Sequence, residues 1–186
     1  MERIYRLATA TGHLARLVVF GSFITAKPWP NDVDVFLLMA DTFDVDQLAG
    51  EERLLLEYAD AQAHLGASVF WLRRSAALGG EQAAVEHWQL KRDGSRRGWS
   101  RLCGTVAGVG GRDCTGVAMI ANDQGLNETL ERIARFQAQV AHLRKVESNP
   151  ANYHAAVSGF LAEIDRMQLE VREYLSLHPT EFAGTT

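Results

Sequence analysis

Val18 to Ala40 reads VVFGSFITAKPWPNDVDVFLLMA, and the reading of this stretch decides the fold. Leu17 to Phe20 is a short apolar run rich in β-branched and aromatic residues, and Gly21-Ser22 breaks it. Val33 to Met39 is a second apolar run, interrupted by the single acid Asp34. The pattern predicts strand, turn, loop, strand. A carboxylate inside a buried strand is costly unless it is paired. Asp32 and Asp34 are two residues apart, so on a strand their side chains leave the same face. Two carboxylates on one face suit a hard cation such as Mg²⁺, which keeps water and substrate phosphates as its other ligands. Gly21-Ser22 could open a short helical turn over Phe23 to Ala26, whose N–H groups suit a phosphate. Lys27 adds a positive charge nearby. The competing reading makes Asn31-Asp32 a turn and Asp34 an edge-strand charge facing water.

Gly21-Ser22, nine intervening residues and then Asp32-x-Asp34, each end on an apolar strand, resembles the DNA polymerase β-type nucleotidyltransferases. The small bacterial minimal nucleotidyltransferases are the nearer likeness. It covers roughly the first half of the chain and includes Thr25 and Pro28-Trp29-Pro30-Asn31 in the loop. The resemblance implies an α/β (α+β) fold with a small mixed sheet flanked by helices. It implies Asp32 and Asp34 as catalytic and metal-binding residues. It implies Gly21, Ser22, Thr25 and Lys27 as nucleotide-binding, with an NTP such as ATP as substrate and Mg²⁺ as cofactor. The acceptor would be a hydroxyl of a protein or a tRNA. In such enzymes the next strand carries a third carboxylate. The position that aligns with it here is Ser68, a neutral hydroxyl and a poor Mg²⁺ ligand by itself. Glu86 and Asp93 are the acids that could substitute.

The chain has 186 residues, 47% of them hydrophobic and 23% charged, with a net charge of −4. That length holds one domain or two small ones. Mild acidity argues against a general nucleic-acid-coating role. No run approaches a membrane span and no secretory signal is visible, so a cytoplasmic location is expected. Cys103 and Cys114 are too few for a disulfide framework. The six histidines form no cluster, and no Arg-x₄-His ribonuclease motif is present.

Glu2 to Arg16 reads as a short helix, and Val45 to His64 as a crossover helix packing on the sheet. Leu65 to Leu72 reads as the third strand, opened by Gly66. Glu81 to Lys91 reads as a helix. Arg96, Arg97 and Arg101 then interleave with Trp99, which suits phosphates and a stacked base, or a solvated hairpin. Five glycines between Gly104 and Gly116 read as a linker. The expected domains are therefore 1–103, a linker at 104–118, and an α-helical hairpin at 119–186.

In the hairpin, Leu126, Leu130, Ile133, Phe136, Val140 and Leu143 mark one face of the first helix. Asn149 is a suitable N-cap and Pro150 a suitable first helical residue for the second. That helix carries Tyr153, Val157, Phe160, Ile164, Met167, Val171 and Tyr174 in a 4-3-4-3 repeat. Two helices alone are marginal, so the sheet domain, a second copy in a homodimer, or another protein must cover this seam. The hairpin also resembles small helical proteins encoded beside nucleotidyltransferase-like genes in bacterial toxin–antitoxin modules. That likeness implies a cognate toxin or antitoxin as partner. It also opens an alternative, a degenerate nucleotidyltransferase fold that binds a partner through these helices.

Overall fold

A computed structural model of the chain describes residues 1–21, 33–89 and 120–178. Within them, a three-stranded mixed sheet is flanked by helices and closed by a C-terminal helix pair. The strands are β1 (Leu14–Phe20), β2 (Val33–Met39) and β3 (Ala67–Arg73), in that order across the sheet. β1 pairs antiparallel with β2, and β2 pairs parallel with β3. Val35 to Met39 are wholly buried, as expected of a central strand covered on both faces.

The first helix, α1 (Glu2–Ala10), is shorter than the expected Glu2 to Arg16. It buries Ile4, Leu7 and Ala8, one helical stripe, and stops at Thr11. Gly12 then takes φ +70°, which reverses the chain so that Leu14 and Arg16 join β1.

The crossover from β2 to β3 is also broken up. A 3₁₀ turn at Val45–Gln47 is capped by Asp44, whose side chain accepts from the Asp46 N–H at 3.0 Å. Two short helices follow, α2 (Glu52–Leu56) and α3 (Tyr58–Leu65). Glu57 stands between them in extended conformation, where a single helix was expected. The carbonyl of Leu56, the last residue of α2, accepts from the Trp71 indole on β3 at 3.0 Å. That bond anchors the end of α2 to the sheet.

The remaining helices are α4 (Gly80–Gln89), α5 (Asp123–Val146) and α6 (Pro150–Ser176). Asn122 caps α5 through the Gly125 N–H, and Asn149 caps α6 ahead of Pro150. Most of the expected stripe on α5 is inward, with Ile133, Phe136 and Leu143 buried, although Leu130 is exposed.

The seam of α6 is covered by this chain's own residues. Val157, Phe160, Ile164 and Met167 join one continuous core with β2, β3, α4 and α5. Trp88 lies at its centre, with ring centroids 4.6 Å from Phe20 and Phe70 and 5.3 Å from Phe136. Phe160 meets Phe70 edge-on at 5.8 Å. Gly159 lets α6 approach the sheet closely: a Cβ there would stand 3.1 Å from the Val69 carbonyl oxygen and from the Tyr58 ring. At the other end of β3, Arg73 donates to Glu147 at 2.7 Å and to the Asp41 carbonyl at 3.1 Å. The link from α5 to α6 is thereby fastened to the sheet.

Candidate functional site

β1 ends at Phe20, which pairs across the sheet with Asp34. The next residue, Gly21, takes φ +75°, a conformation that side chains resist. A Cβ added to Gly21 would overlap the carboxylate of Asp34, standing 2.6 Å from its carbon. The acid of β2 is thus seated directly against the backbone of the glycine that ends β1. Asp34 lies on the central strand and is half-buried, not an edge residue facing water. Alternation puts it on the face that carries Phe36, the face covered by Trp88.

The residue of β3 opposite Asp34 is Ser68, the position expected to hold a third carboxylate. Ser68 is 5% exposed. Its hydroxyl accepts from the Gln62 amide at 3.3 Å, and that amide also donates to the Tyr58 hydroxyl at 3.1 Å. Burial pushes the Tyr58 phenol above its usual pKa. Its bond with Ser68 and the charge of Arg166 oppose that shift, and the negative charges of Glu163 and Asp34 reinforce it. The phenol therefore stays protonated at neutral pH, so Tyr58 is a hydrogen-bond donor beside Ser68.

α6 contributes the next layer. Arg166 grips Glu163 with two bonds, at 2.7 Å and 2.6 Å, and donates a third to Glu170. Arg132 of α5 lies 4.0 Å from Glu163. Both glutamates are buried, and none of these four residues stands out in the sequence as a site residue. Their signal was the spacing Glu163, Arg166, Glu170 along one flank of the apolar seam, where residues three and four apart meet. Nothing in that spacing reveals that the flank faces Tyr58.

Of the expected site residues, Gly21 and Asp34 are brought together. Ser22, Thr25, Lys27 and Asp32 lie outside the described residues, as do the turn over 23–26, the basic stretch 91–101, Cys103, Cys114 and the glycine-rich segment 104–118. So does Asp93, one of the two acids that could substitute at Ser68. The other, Glu86, is exposed on α4 and accepts from Gln82 at 2.8 Å. Among the described residues, no group of three His, Cys, Asp or Glu side chains is placed to hold a metal. Asp34 offers hard carboxylate oxygens of the kind Mg²⁺ takes, and Ser68 a neutral oxygen. No helix among the described residues is long and apolar enough to cross a membrane.

Residues 1–102 match a family described as "Family of unknown function (DUF6932)". This is more than half of the chain, and the chain belongs to that family. The matched region runs from α1 through α4 and includes Gly21, Asp34 and Ser68. No curated protein and no solved structure matches the chain.

Proposed function

We propose that this chain is a nucleotidyltransferase-like protein. It would move a nucleoside monophosphate from an NTP, such as ATP, to a hydroxyl of a protein or a tRNA, as one component of a bacterial toxin–antitoxin pair. One observation carries the reading: the Asp34 carboxylate, on the central strand, is seated against a glycine in left-handed conformation at the end of β1. A glycine there leaves the backbone bare beside a carboxylate, which is the arrangement a metal-bound phosphate needs. Asp34 and Asp32 would hold Mg²⁺, which when bound neutralises charge on the triphosphate. Gly21, Ser22, Thr25 and Lys27 would hold the phosphates. The acceptor oxygen forms its bond to the α-phosphorus as the bond to pyrophosphate breaks, and the acceptor proton leaves to solvent. The protein's work in such a reaction is positioning and electrostatics.

The test is incubation of the full chain with labelled NTPs and Mg²⁺, alone and with tRNA, reading label on protein or nucleic acid. Transfer should occur in the native chain and vanish in Asp34→Asn with an unchanged melting temperature. Transfer that survives Asp34→Asn rejects the proposal.

A second reading rests on Ser68. The neutral hydroxyl opposite Asp34 removes one negative charge from the site, which favours a degenerate enzyme that works by binding a partner. Because the α6 seam is already buried, the partner would meet the outward face of the helices, where Leu161 and Leu169 are exposed. Ser68→Asp separates the two readings: a gain in transfer marks the native site as degenerate, and no gain leaves the first reading in place.

A further inference from the structure

A cavity of about 380 Å³ lies between α4, α5, α6 and the C-terminal half of β3. Its walls include Leu72, Trp88, Phe136 and Phe160, and His87 and Arg135 bring polar groups to it. Ser68 is four residues before Leu72 on β3, so this cavity is separated from the Gly21–Asp34 corner by roughly 13 Å of strand. A volume of this order, with apolar walls and convergent polar groups from Glu86, His87, Arg135 and Gln139, is what small-molecule sites present.

The polar groups fall into two kinds. Gln139 spends both ends of its amide on the backbone, donating to the Ala76 carbonyl at 2.8 Å and accepting from the Leu78 N–H at 2.9 Å. Glu86 is exposed and accepts from Gln82. His87 and Arg135 differ. Arg135 always donates, so at 2.8 Å from the Arg135 guanidinium the Nδ1 of His87 must accept. The proton of the neutral ring then sits on Nε2. That atom is buried and has no partner among the described residues. A buried donor left without an acceptor costs free energy, and such an atom calls for a ligand or an ordered water. Arg135 itself is exposed, with one of its five donors committed to His87.

We propose that this cavity binds a small organic anion with an aromatic body. The ring lies over Leu78 and Ala83 at the rim of the aromatic core, an acceptor atom takes a hydrogen bond from His87 Nε2, and the anionic group meets Arg135. Arg132 also acts on His87, although its charge is shared with Glu163 at 4.0 Å, and among the described residues lining the cavity Glu86 is the acid that opposes the anion. The reading is independent of the nucleotidyl-transfer proposal and survives its failure.

Calorimetric titration of the full chain with naphthalene-2-carboxylate tests it, with naphthalene-2-methanol as the uncharged control. The carboxylate should bind saturably, and the alcohol about tenfold or more weaker, because a charge-assisted bond is lost. Arg135→Gln should weaken the carboxylate to a similar degree while leaving the alcohol unchanged. Ala83→Trp, which fills the cavity from an exposed helix position, should abolish both, with a melting temperature close to that of the native chain. Absence of saturable binding in the native chain, or equal affinity for the two probes, overturns the proposal. So does carboxylate affinity that Arg135→Gln leaves intact.

Discussion

The carboxamide of Asn152, in the first turn of α6, accepts from the backbone N–H of Val45 at 2.8 Å and donates to the Phe43 carbonyl at 3.1 Å. One side chain thereby satisfies two buried backbone groups in the loop after β2, 107 and 109 residues away in sequence. Asn152 is 1% exposed, so water cannot replace it. Asn152→Ala should cost about 2–6 kcal/mol, since each of the two orphaned buried groups forfeits roughly 1–3 kcal/mol. Urea denaturation reads that loss as a lower midpoint. Asn152→Asp keeps the acceptor but removes the donor and buries a charge, so it should be destabilised more at pH 7 than at pH 4. A loss under 1 kcal/mol (about the net value of one ordinary hydrogen bond) would mean the loop holds its own conformation.

Gly21 and Asp34 should couple. Gly21→Ala places a methyl group where the Asp34 carboxylate lies and forces a left-handed backbone on alanine. The backbone term alone is worth about 1–2 kcal/mol. The overlap adds to it, and the Asp34 side chain must move. Asp34→Ala empties the space, so Gly21→Ala should cost less in that background. A double-mutant cycle by thermal or urea unfolding should return a coupling of about 0.5–3 kcal/mol, the range for residues in contact. Strict additivity contradicts the contact.

What could be read in advance follows the range of the physics involved. The apolar run Val33 to Met39, the Asn149 cap and the Pro150 start are local, and each stands where it was expected. The end of α1 was obscured because Leu14 and Leu17 extend the helical stripe of Ile4 and Leu7, while the signals against it, Thr9, Thr11 and Gly12, are weak one by one. The break at Glu57 has no Pro or Gly to announce it. The coverage of the α6 seam could not be decided, because a heptad pattern states that a face is buried and not what buries it. The adjacency of Ser68 to Asp34 came through a resemblance and not through residue patterns. Parallel register is set by tertiary packing, and its sequence trace is faint when both strands are apolar runs.

Arg166 should matter more for the charges it holds than for its own burial. Its removal leaves Glu163 and Glu170, both buried, without the guanidinium that binds them. Breaking a buried ion pair from one side costs about 3–5 kcal/mol, and Arg166 is partly exposed, so the lower half of that range is expected for Arg166→Leu. Replacing the set together, Glu163→Met, Arg166→Leu and Glu170→Met, should restore much of the stability, because apolar side chains of similar volume avoid the desolvation cost. Urea midpoints of the single and triple variants at pH 7 decide it. A triple variant less stable than Arg166→Leu contradicts the expectation.

His87 links the aromatic core to acid stability. Burial, with the positive charges of Arg132 and Arg135, pushes its pKa down to about 3. In the unfolded chain an imidazole takes its proton near pH 6.5. Between those values the unfolded state carries a proton that the folded state does not, so stability falls as the pH drops through this window. One proton corresponds to a slope of about 1.4 kcal/mol per pH unit at most. Carboxylates titrate in the lower part of the window, so the contribution of His87 is cleanest between pH 5 and 6.5. Over that interval the native chain should lose stability relative to His87→Gln, which binds no proton in either state. Arg135→Gln removes one of the two repelling charges, so it should raise the folded pKa and shorten the window from below. Proton NMR of the His87 ring provides a second measure: its Cε1–H resonance should stay fixed from pH 8 to pH 5 in the native chain. A resonance that shifts with a midpoint near 6.5 would show that the ring is open to protons and that the acid loss belongs to other groups.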